Sequence, residues 1–260
     1  MKMDQLDQLK NVLLGYGKVA IAYSGGCDSH FLYEVARQTL GRDQVLAVLC
    51  QGAMMSQEDI EDARALLGDG QYVIVQVDVL KVDAFLHNTR QRCYECKKMI
   101  MSEVIKQAHH QGFTYVLDGR NEDDNDVYRP GIRACEELGI LSPLSMVHMR
   151  KDTIRQYSKE LNIRTYNKPS NACLASRFPY DTLLSVEKLK LVSDAESLLH
   201  QIGIFHARVR VHERIARIEV EKKDFQKVLD HQEIIDEMKK LGFDYITLDL
   251  EGIMSGRYDR

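Results

Sequence analysis

The sequence lacks an excess of positive charge, a long hydrophobic run and an internal repeat. Its 35 Lys and Arg residues against 39 Asp and Glu residues give a net charge of −4, which argues against a protein that coats nucleic acid through phosphate contacts. No run approaches the ~18 apolar residues of a membrane span. The N-terminal residues MKMDQLDQLKNVLLGYG contain no apolar core before a small-residue cleavage site, so we expect a cytoplasmic protein with no signal peptide.

A disulfide framework is also not expected. The chain has 260 residues, 44% of them hydrophobic, and can therefore build a core without covalent staples. In a reducing compartment its six cysteines would be free thiols, and those that matter for function would bind a metal or take part in chemistry.

Short apolar runs alternate with helical patterns through the first 165 residues. Runs typical of buried strands lie at 18–23, 45–50, 72–77 and 113–118. Apolar residues at helical spacing lie between them, at 29–40, 56–67 and 94–111. Strands separated by helices predict parallel β-α-β units, so we expect an α/β fold with a doubly wound, mostly parallel sheet. Ligands of such sheets bind beyond the carboxyl ends of the strands.

The pattern changes after Lys168 and Pro169. A helical pattern at 183–201 is followed by two alternating segments, at 207–211 and 215–220, then by two short helices and a final strand at 245–250. We therefore expect two domains, an α/β domain over 1–167 and a smaller α+β domain over 168–260.

A glycine-rich loop directly follows the first strand and opens the first predicted helix. Its sequence SGGCDS, Ser24 to Ser29, combines two glycines, two hydroxyl donors and a helix N-terminus, all of which suit an anion. The Walker A and dinucleotide fingerprints are both absent. SGGxDS instead resembles the pyrophosphate loop of N-type ATP pyrophosphatases. That resemblance implies ATP cleavage to AMP and pyrophosphate at Ser24, Gly25, Gly26, Asp28 and Ser29, with Asp28 holding Mg²⁺.

Two cysteines form a CxxC motif, Cys93 and Cys96, and a third, Cys173, lies in the segment PSNACLASR. Three cysteines can hold three irons of a [4Fe–4S] cluster and leave the fourth iron open for sulfide. The CxxC could equally be a redox pair that acts separately from Cys173, and the spacing does not decide between these two interpretations. Cys27, Cys50 and Cys135 are explained by packing.

Longer strings decide what the spacing does not. The segments PSNACLASRFPY, LDGRNEDDNDVYRPG and RVRVHERIARIEV, together with the loop, resemble the LarE family of ATP-dependent sulfur transferases, and the matches cover nearly the whole chain. One type of this family sacrifices the sulfur of a single cysteine. The other adds an RCYxCK pair and carries an iron–sulfur cluster, and Cys93, Cys96 and Cys173 match this second type.

The resemblance implies a substrate and a reaction. Carboxylates of pyridinium-3,5-dicarboxylate mononucleotide would be adenylated and then converted to thiocarboxylates, for the nickel-pincer nucleotide cofactor of lactate racemase. Adenylation provides AMP as a leaving group in place of a carboxylate oxygen. Sulfide or another sulfur donor would then complete the reaction, near Cys173 and the neighbouring Arg177.

Further polar residues are expected to bind nucleotides. Arg120 and Asn121 follow the fourth strand, at the edge where ligands gather. Arg208 and Arg210 share one strand face by period two and would bind the substrate phosphate, while an exposed strand face is the alternative. Glu196 is in a family-like position. A tRNA thiolase of the same superfamily is the alternative function, but the −4 charge and the lack of a basic extension speak against it. We expect a homo-oligomer with no membrane or nucleic-acid partner.

Overall fold

The structure is a computed structural model that describes residues 3–126, 130–169 and 172–254. The chain forms two compact units. Unit 1 comprises Met1–Gly52, Glu58–Asp78 and Gln91–Asn171, and unit 2 comprises Ala53–Gln57, Val79–Arg90 and Ala172–Arg260.

The strands and helices are numbered in chain order. The strands are β1 Val19–Tyr23, β2 Val45–Gln51, β3 Gln71–Gln76, β4 Tyr115–Leu117, β5 Ala207–His212, β6 Ile215–Val220 and β7 Tyr245–Leu248. The helices are α1 Gln5–Tyr16, α2 Cys27–Leu40, α3 Gln57–Leu67, α4 Asp83–Leu86, α5 Arg92–His110, α6 Pro130–Glu137, α7 Pro143–Met146, α8 Lys151–Glu160, α9 Val186–Gln201, α10 Phe225–Asp230 and α11 Glu233–Lys240. Short 3-10 helices include Glu122–Asp126 and Leu174–Arg177.

Unit 1 is built on a four-stranded parallel sheet in the order β3-β2-β1-β4. The central strand β1 is in register with β2 from Val19 opposite Val45 to Tyr23 opposite Leu49. Its residues Val19, Ala20 and Ile21 are all fully buried, as expected of a parallel strand covered on both faces. The predicted α/β fold with a parallel sheet is confirmed, and the four strands lie where the apolar runs predicted them.

Unit 2 contains a three-stranded sheet in the order β5-β6-β7. β5 and β6 are antiparallel, whereas β6 and β7 are parallel. Helix α9 packs against β5, and α11 packs against α9 and β7. The buried residues of α9 follow helical spacing, so one stripe of this helix faces the sheet and completes a small core. They are Leu189, Val192, Ala195, Glu196 and Leu199.

Two segments from early in the chain belong to unit 2. The backbone N–H of Leu174 donates to the carbonyl of Met54 at 3.1 Å, and that of Leu184 donates to the carbonyl of Leu86 at 2.7 Å. The expected boundary at 167/168 follows the change in sequence pattern. The compact units instead divide at Asn171/Ala172 and place 53–57 and 79–90 with the later residues.

Over the described residues, no helix is long and apolar enough to cross a membrane.

Candidate active site

The glycine-rich loop joins β1 to α2 at the carboxyl edge of the parallel sheet. Gly25 has φ +71°, and a Cβ atom there would lie 2.5 Å from the Cβ of Ala63 on α3, so both the turn and the packing require glycine. The Ser24 and Ser29 hydroxyls lie 3.0 Å apart. Ser29 Oγ donates to the carbonyl of Gly26 at 3.3 Å and accepts from the N–H of Ser24 at 3.3 Å. The loop thus places backbone N–H groups and two hydroxyls at the N-terminus of α2, as an anion site requires.

A lysine that the sequence did not point to lies beside the loop. Lys151 Nζ contacts both carboxylate oxygens of Asp28, at 2.6 and 2.7 Å. Asn121 Nδ2 also donates to Asp28, at 3.3 Å. The loop therefore brings together an anionic carboxylate and a cationic amine, which are the groups expected around a magnesium–polyphosphate ligand. The lysine begins helix α8 and is 123 residues from Asp28 in sequence, so no local pattern could identify it.

The segment after β4 approaches the loop closely. A Cβ atom on Gly119 would lie 2.8 Å from the backbone nitrogen of Ser29, so this glycine allows the two chain segments to meet. Asn121 is buried and its side chain faces Asp28, while its predicted nucleotide contact stays a prediction. Arg120 instead pairs with Glu136 at 2.8 Å. The predicted nucleotide contact of Arg120 stays a prediction.

The acidic residues that follow have a structural role in part. Asp123 accepts the backbone N–H of Lys151 at 2.7 Å and pairs with Arg150 at 2.8 Å. It therefore satisfies a free N–H at the start of α8, where negative charge is favourable. By this contact Asp123 fixes the helix end that presents Lys151 to Asp28.

The CxxC motif lies on the first turns of α5 in unit 1. Cys93 is exposed, whereas Cys96 is 8% exposed. Residues three apart on a helix share one face, so both thiols can serve one metal centre. Cys173 lies in unit 2, is half-buried, and directly precedes the 3-10 helix Leu174–Arg177. In the part of the chain that the structure describes, no three His, Cys, Asp or Glu side chains form a potential metal site. The three-cysteine cluster stays a prediction.

The other cysteines are buried, in keeping with their interpretation as packing residues. Burial raises the pKa of the Cys50 thiol to about 11, and that of Cys135 also to about 11. Burial likewise raises the pKa of Cys27. These thiols are poor nucleophiles at neutral pH, because the thiolate is the reactive form.

Unit 2 contains a buried ion pair next to Cys173. Arg177 donates to Glu196 through two nitrogens, Nε at 2.7 Å and Nη2 at 2.9 Å. Its third nitrogen donates to the carbonyl of Ala172 at 3.1 Å. Glu196 also accepts the backbone N–H of Val209 at 2.9 Å. The pair thus connects the 3-10 helix that carries Arg177 to both α9 and β5.

Arg208 and Arg210 lie on the same face of β5, as predicted, but they are buried at 7% and 3% exposure. Arg210 Nε donates to Glu219 at 3.1 Å, and its Nη1 donates to the carbonyl of Ser176 at 2.8 Å. Arg208 Nη1 donates to the carbonyl of Met254 at 3.0 Å. The alternative of an exposed strand face is therefore wrong. Glu219, fully buried opposite Arg208 in the sheet, is part of this cluster and was not predicted as a site residue.

The cluster carries more positive than negative charge. Four arginines, Arg177, Arg208, Arg210 and Arg217, lie among three carboxylates, those of Glu196, Glu219 and Asp249. Burial lowers the pKa of Arg208, and the nearby charges of Arg177 and Arg210 lower it further. An anion bound here would oppose both effects, so the cluster suits a phosphate or a carboxylate.

Comparison with known proteins gives the family. Residues 5–117 match the NAD synthase family. The chain is 35% identical to the pyridinium-3,5-bisthiocarboxylic acid mononucleotide synthase of Lactiplantibacillus plantarum, over 92% of this chain and 88% of that protein. The chain belongs to the LarE family. Two uncharacterised proteins are also similar: slr1717 of Synechocystis, at 35% identity over 100% of this chain and 98% of the relative, and MJ0830 of Methanocaldococcus jannaschii, at 33% over 90% of each.

The comparisons confirm the resemblance that the sequence motifs carried. As a LarE-family chain with an ATP pyrophosphatase-like domain, the protein is an ATP-dependent sulfurtransferase. The roles of the individual site residues, the homo-oligomer and the cytoplasmic location stay predictions.

Proposed function

We propose that this enzyme converts carboxylates of pyridinium-3,5-dicarboxylate mononucleotide into thiocarboxylates, for nickel-pincer nucleotide cofactor biosynthesis. The observation that carries the proposal is the 35% identity to the L. plantarum mononucleotide synthase over 92% of the chain. The buried cationic cluster of unit 2 supports it, since this substrate carries a phosphate and two carboxylates.

The first step is adenylation. A substrate carboxylate oxygen attacks the α-phosphorus of ATP, a P–O bond forms, and pyrophosphate leaves with the electrons of the broken bond. The N–H groups and hydroxyls of Ser24, Gly25, Gly26 and Ser29 would hold the pyrophosphate. The Asp28 carboxylate suits Mg²⁺, which prefers oxygen ligands. Lys151, which contacts Asp28, would neutralise phosphate charge once Asp28 binds the metal.

The second step is sulfur transfer. A sulfur nucleophile attacks the acyl carbon, a C–S bond forms, and AMP leaves as the C–O bond breaks. Arg177 lies four residues after Cys173, and its pairing with Glu196 fixes its guanidinium near the 3-10 helix. This arrangement would stabilise the negative charge that develops on the acyl oxygen.

Arg208 and Arg210 would bind the substrate phosphate. Their guanidinium groups already donate to backbone carbonyls, so the substrate would add a charged acceptor to a pre-ordered pair. Burial makes such a charge-assisted contact stronger than a surface one.

Cys93, Cys96 and Cys173 would hold a [4Fe–4S] cluster. Thiolates are the ligands that such clusters take, and the helical spacing of Cys93 and Cys96 fits two of its irons. When bound, the cluster would supply sulfide for the transfer, and the protein would not lose a cysteine sulfur in each turnover.

Substrate-dependent pyrophosphate release tests this proposal against tRNA thiolation. Anaerobically purified enzyme is incubated with ATP and Mg²⁺ and with the mononucleotide, with bulk tRNA or with neither. We expect pyrophosphate release and sulfur incorporation only in the incubation that contains the mononucleotide, and loss of both in Asp28→Ala. Sulfur incorporation into tRNA, with none into the mononucleotide, would contradict the proposal.

A further inference from the structure

The 3-10 helix beside Cys173 is fastened by residues far from it in sequence. The backbone N–H of Leu174 donates to the Met54 carbonyl at 3.1 Å, and the Ser176 carbonyl accepts from Arg210 at 2.8 Å. A third set of hydrogen bonds holds the residues directly after Arg177. Asn88 Nδ2 donates to the carbonyls of Phe178 at 3.2 Å and Pro179 at 2.7 Å.

Asn88 is fully buried, with a backbone that few residues adopt. Its φ is +50°, in the left-handed region where asparagine and glycine are the least strained. Its own carbonyl accepts the N–H of Asp181 at 3.2 Å. Glycine could adopt the same backbone conformation, but it would lack the carboxamide. The NH₂ group of that carboxamide binds two successive carbonyls.

The segment that carries Asn88 is itself anchored in unit 2. Phe85 is 1% exposed, the Leu86 carbonyl accepts from Leu184 at 2.7 Å, and Arg90 stacks over the Tyr180 ring at 5.2 Å. Residues 79–90 therefore form a strap along 178–184. Through its bonds to Phe178 and Pro179, Asn88 holds the part of 178–184 that follows Arg177 in sequence.

We propose that Asn88 is a positioning residue for sulfur transfer: by clamping Phe178 and Pro179, it fixes the orientation of Cys173 and Arg177. This inference rests on the proposed function. We expect its effect in the second chemical step, because the Asn88 carboxamide bonds to the two residues that directly follow Arg177.

Two substitutions test the role of the Asn88 carboxamide separately from that of the left-handed backbone conformation. Asn88→Gly keeps the left-handed backbone unstrained and removes both donors. Asn88→Asp keeps the size and replaces the donating NH₂ group by an oxygen, which repels the two carbonyls. Asn162 provides a matched control, since it also has a positive φ, of 57°, but lies exposed in unit 1. Asn162→Gly and Asn162→Asp are therefore made alongside.

Three quantities are measured on the full chain. Mononucleotide-dependent pyrophosphate release and single-turnover sulfur transfer are measured on cluster-loaded enzyme, and the iodoacetamide labelling rate of Cys173 is read by peptide mass spectrometry on cluster-free protein. A displacement of about 1 Å at a reacting group can cost about a hundredfold in rate. We expect both Asn88 variants to lose about ten- to a hundredfold in sulfur transfer. Pyrophosphate release should stay within about twofold, and Cys173 labelling should change by about tenfold. The Asn162 variants should match the wild type.

The labelling rate needs no substrate, so it tests the clamp even if wild-type enzyme fails to thiolate the mononucleotide, which would count against the proposed function alone. If Asn88→Gly unfolds at the assay temperature, Asn88→Asp is measured below its own melting transition. A folded Asn88 variant whose Cys173 labelling rate and sulfur-transfer rate equal those of the wild type would overturn the inference. So would an equal loss of pyrophosphate release and sulfur transfer, since that indicates a general structural role.

Discussion

At the scale of single residues, the contact between Asp28 and Lys151 is the most informative one in unit 1. The resemblance of the loop implies only the Asp28 carboxylate, as a magnesium ligand. The amine, 2.6 Å away, would supply a second positive charge, besides that of Mg²⁺, for a bound polyphosphate. Both side chains are partly exposed, so we expect this pair to contribute little to stability and propose that it serves ligand binding.

Replacement of Lys151 by methionine tests that explanation. A charge-assisted hydrogen bond contributes about 1.5–3 kcal/mol, so Lys151→Met should weaken binding of Mg²⁺-ATP by about ten- to a hundredfold in calorimetric titration. Lys159→Met, on the exposed end of the same helix, should leave the affinity unchanged. Unchanged ATP affinity in Lys151→Met would show that the lysine only neutralises Asp28.

The cysteines should differ in reactivity according to burial. Cys50 and Cys135 have pKa values raised to about 11, so at pH 8 only about 0.1% of either thiol is ionised, whereas Cys93 is exposed. Native cluster-free protein treated with iodoacetamide should be labelled first at Cys93. Labelling of Cys50 and Cys135 should rise as the pH approaches 11 and stay slow below it. Peptide mass spectrometry gives the order, and early labelling of Cys135 at pH 8 would contradict its burial.

At the scale of elements, the Arg177–Glu196 pair connects three parts of unit 2. The pair is buried on both sides, with side chains 5% and 9% exposed. Loss of one partner of such a pair leaves a charge in a poorly solvated place, which is costly, whereas loss of both is much less so.

Glu196→Gln should therefore destabilise unit 2 by about 3 kcal/mol, while the double variant Arg177→Met, Glu196→Gln should recover most of the loss. Glutamine keeps an oxygen for the N–H of Val209, so the difference isolates the charge. Urea unfolding is followed by circular dichroism, because the chain has no tryptophan. Glu187→Gln, exposed on the first turn of the same helix, should cost less than about 1 kcal/mol. Equal stability of Glu196→Gln and wild type would contradict this account.

At the scale of the whole molecule, the proposed cluster would take its ligands from positions far apart in the sequence, Cys93 and Cys96 in one segment and Cys173 in another. Cys93→Ala, Cys96→Ala and Cys173→Ala should each lose iron and the cluster absorbance in the visible range, because each removes one of the few ligands. Cys135→Ala should retain both, since Cys135 is a packing residue. Iron and sulfide analysis of anaerobic preparations provides the measurement, and full iron content in Cys173→Ala would exclude that residue as a ligand.

Local patterns predicted most of the fold and part of the site. The strand runs and the SGGCDS loop depend on residues close in sequence, and both are found where they were predicted. The role of Lys151 depends on a contact 123 residues away, which no local periodicity encodes. The burial of Arg208 and Arg210 was also not predictable, because their partners at Ser176 and Met254 come from other segments. The assignment of 79–90 to unit 2 likewise rests on long-range hydrogen bonds.

Transfer of isotope-labelled sulfide to the mononucleotide tests the central claim most directly. Anaerobic, cluster-loaded enzyme is given ATP, Mg²⁺, the mononucleotide and labelled sulfide, and both product and protein are analysed by mass spectrometry. We expect a thiocarboxylate that carries the label, formed only with ATP, and an intact Cys173 after several turnovers. A product with unlabelled sulfur and stoichiometric dehydroalanine at Cys173 would contradict it, as would the absence of any ATP-dependent thiocarboxylate.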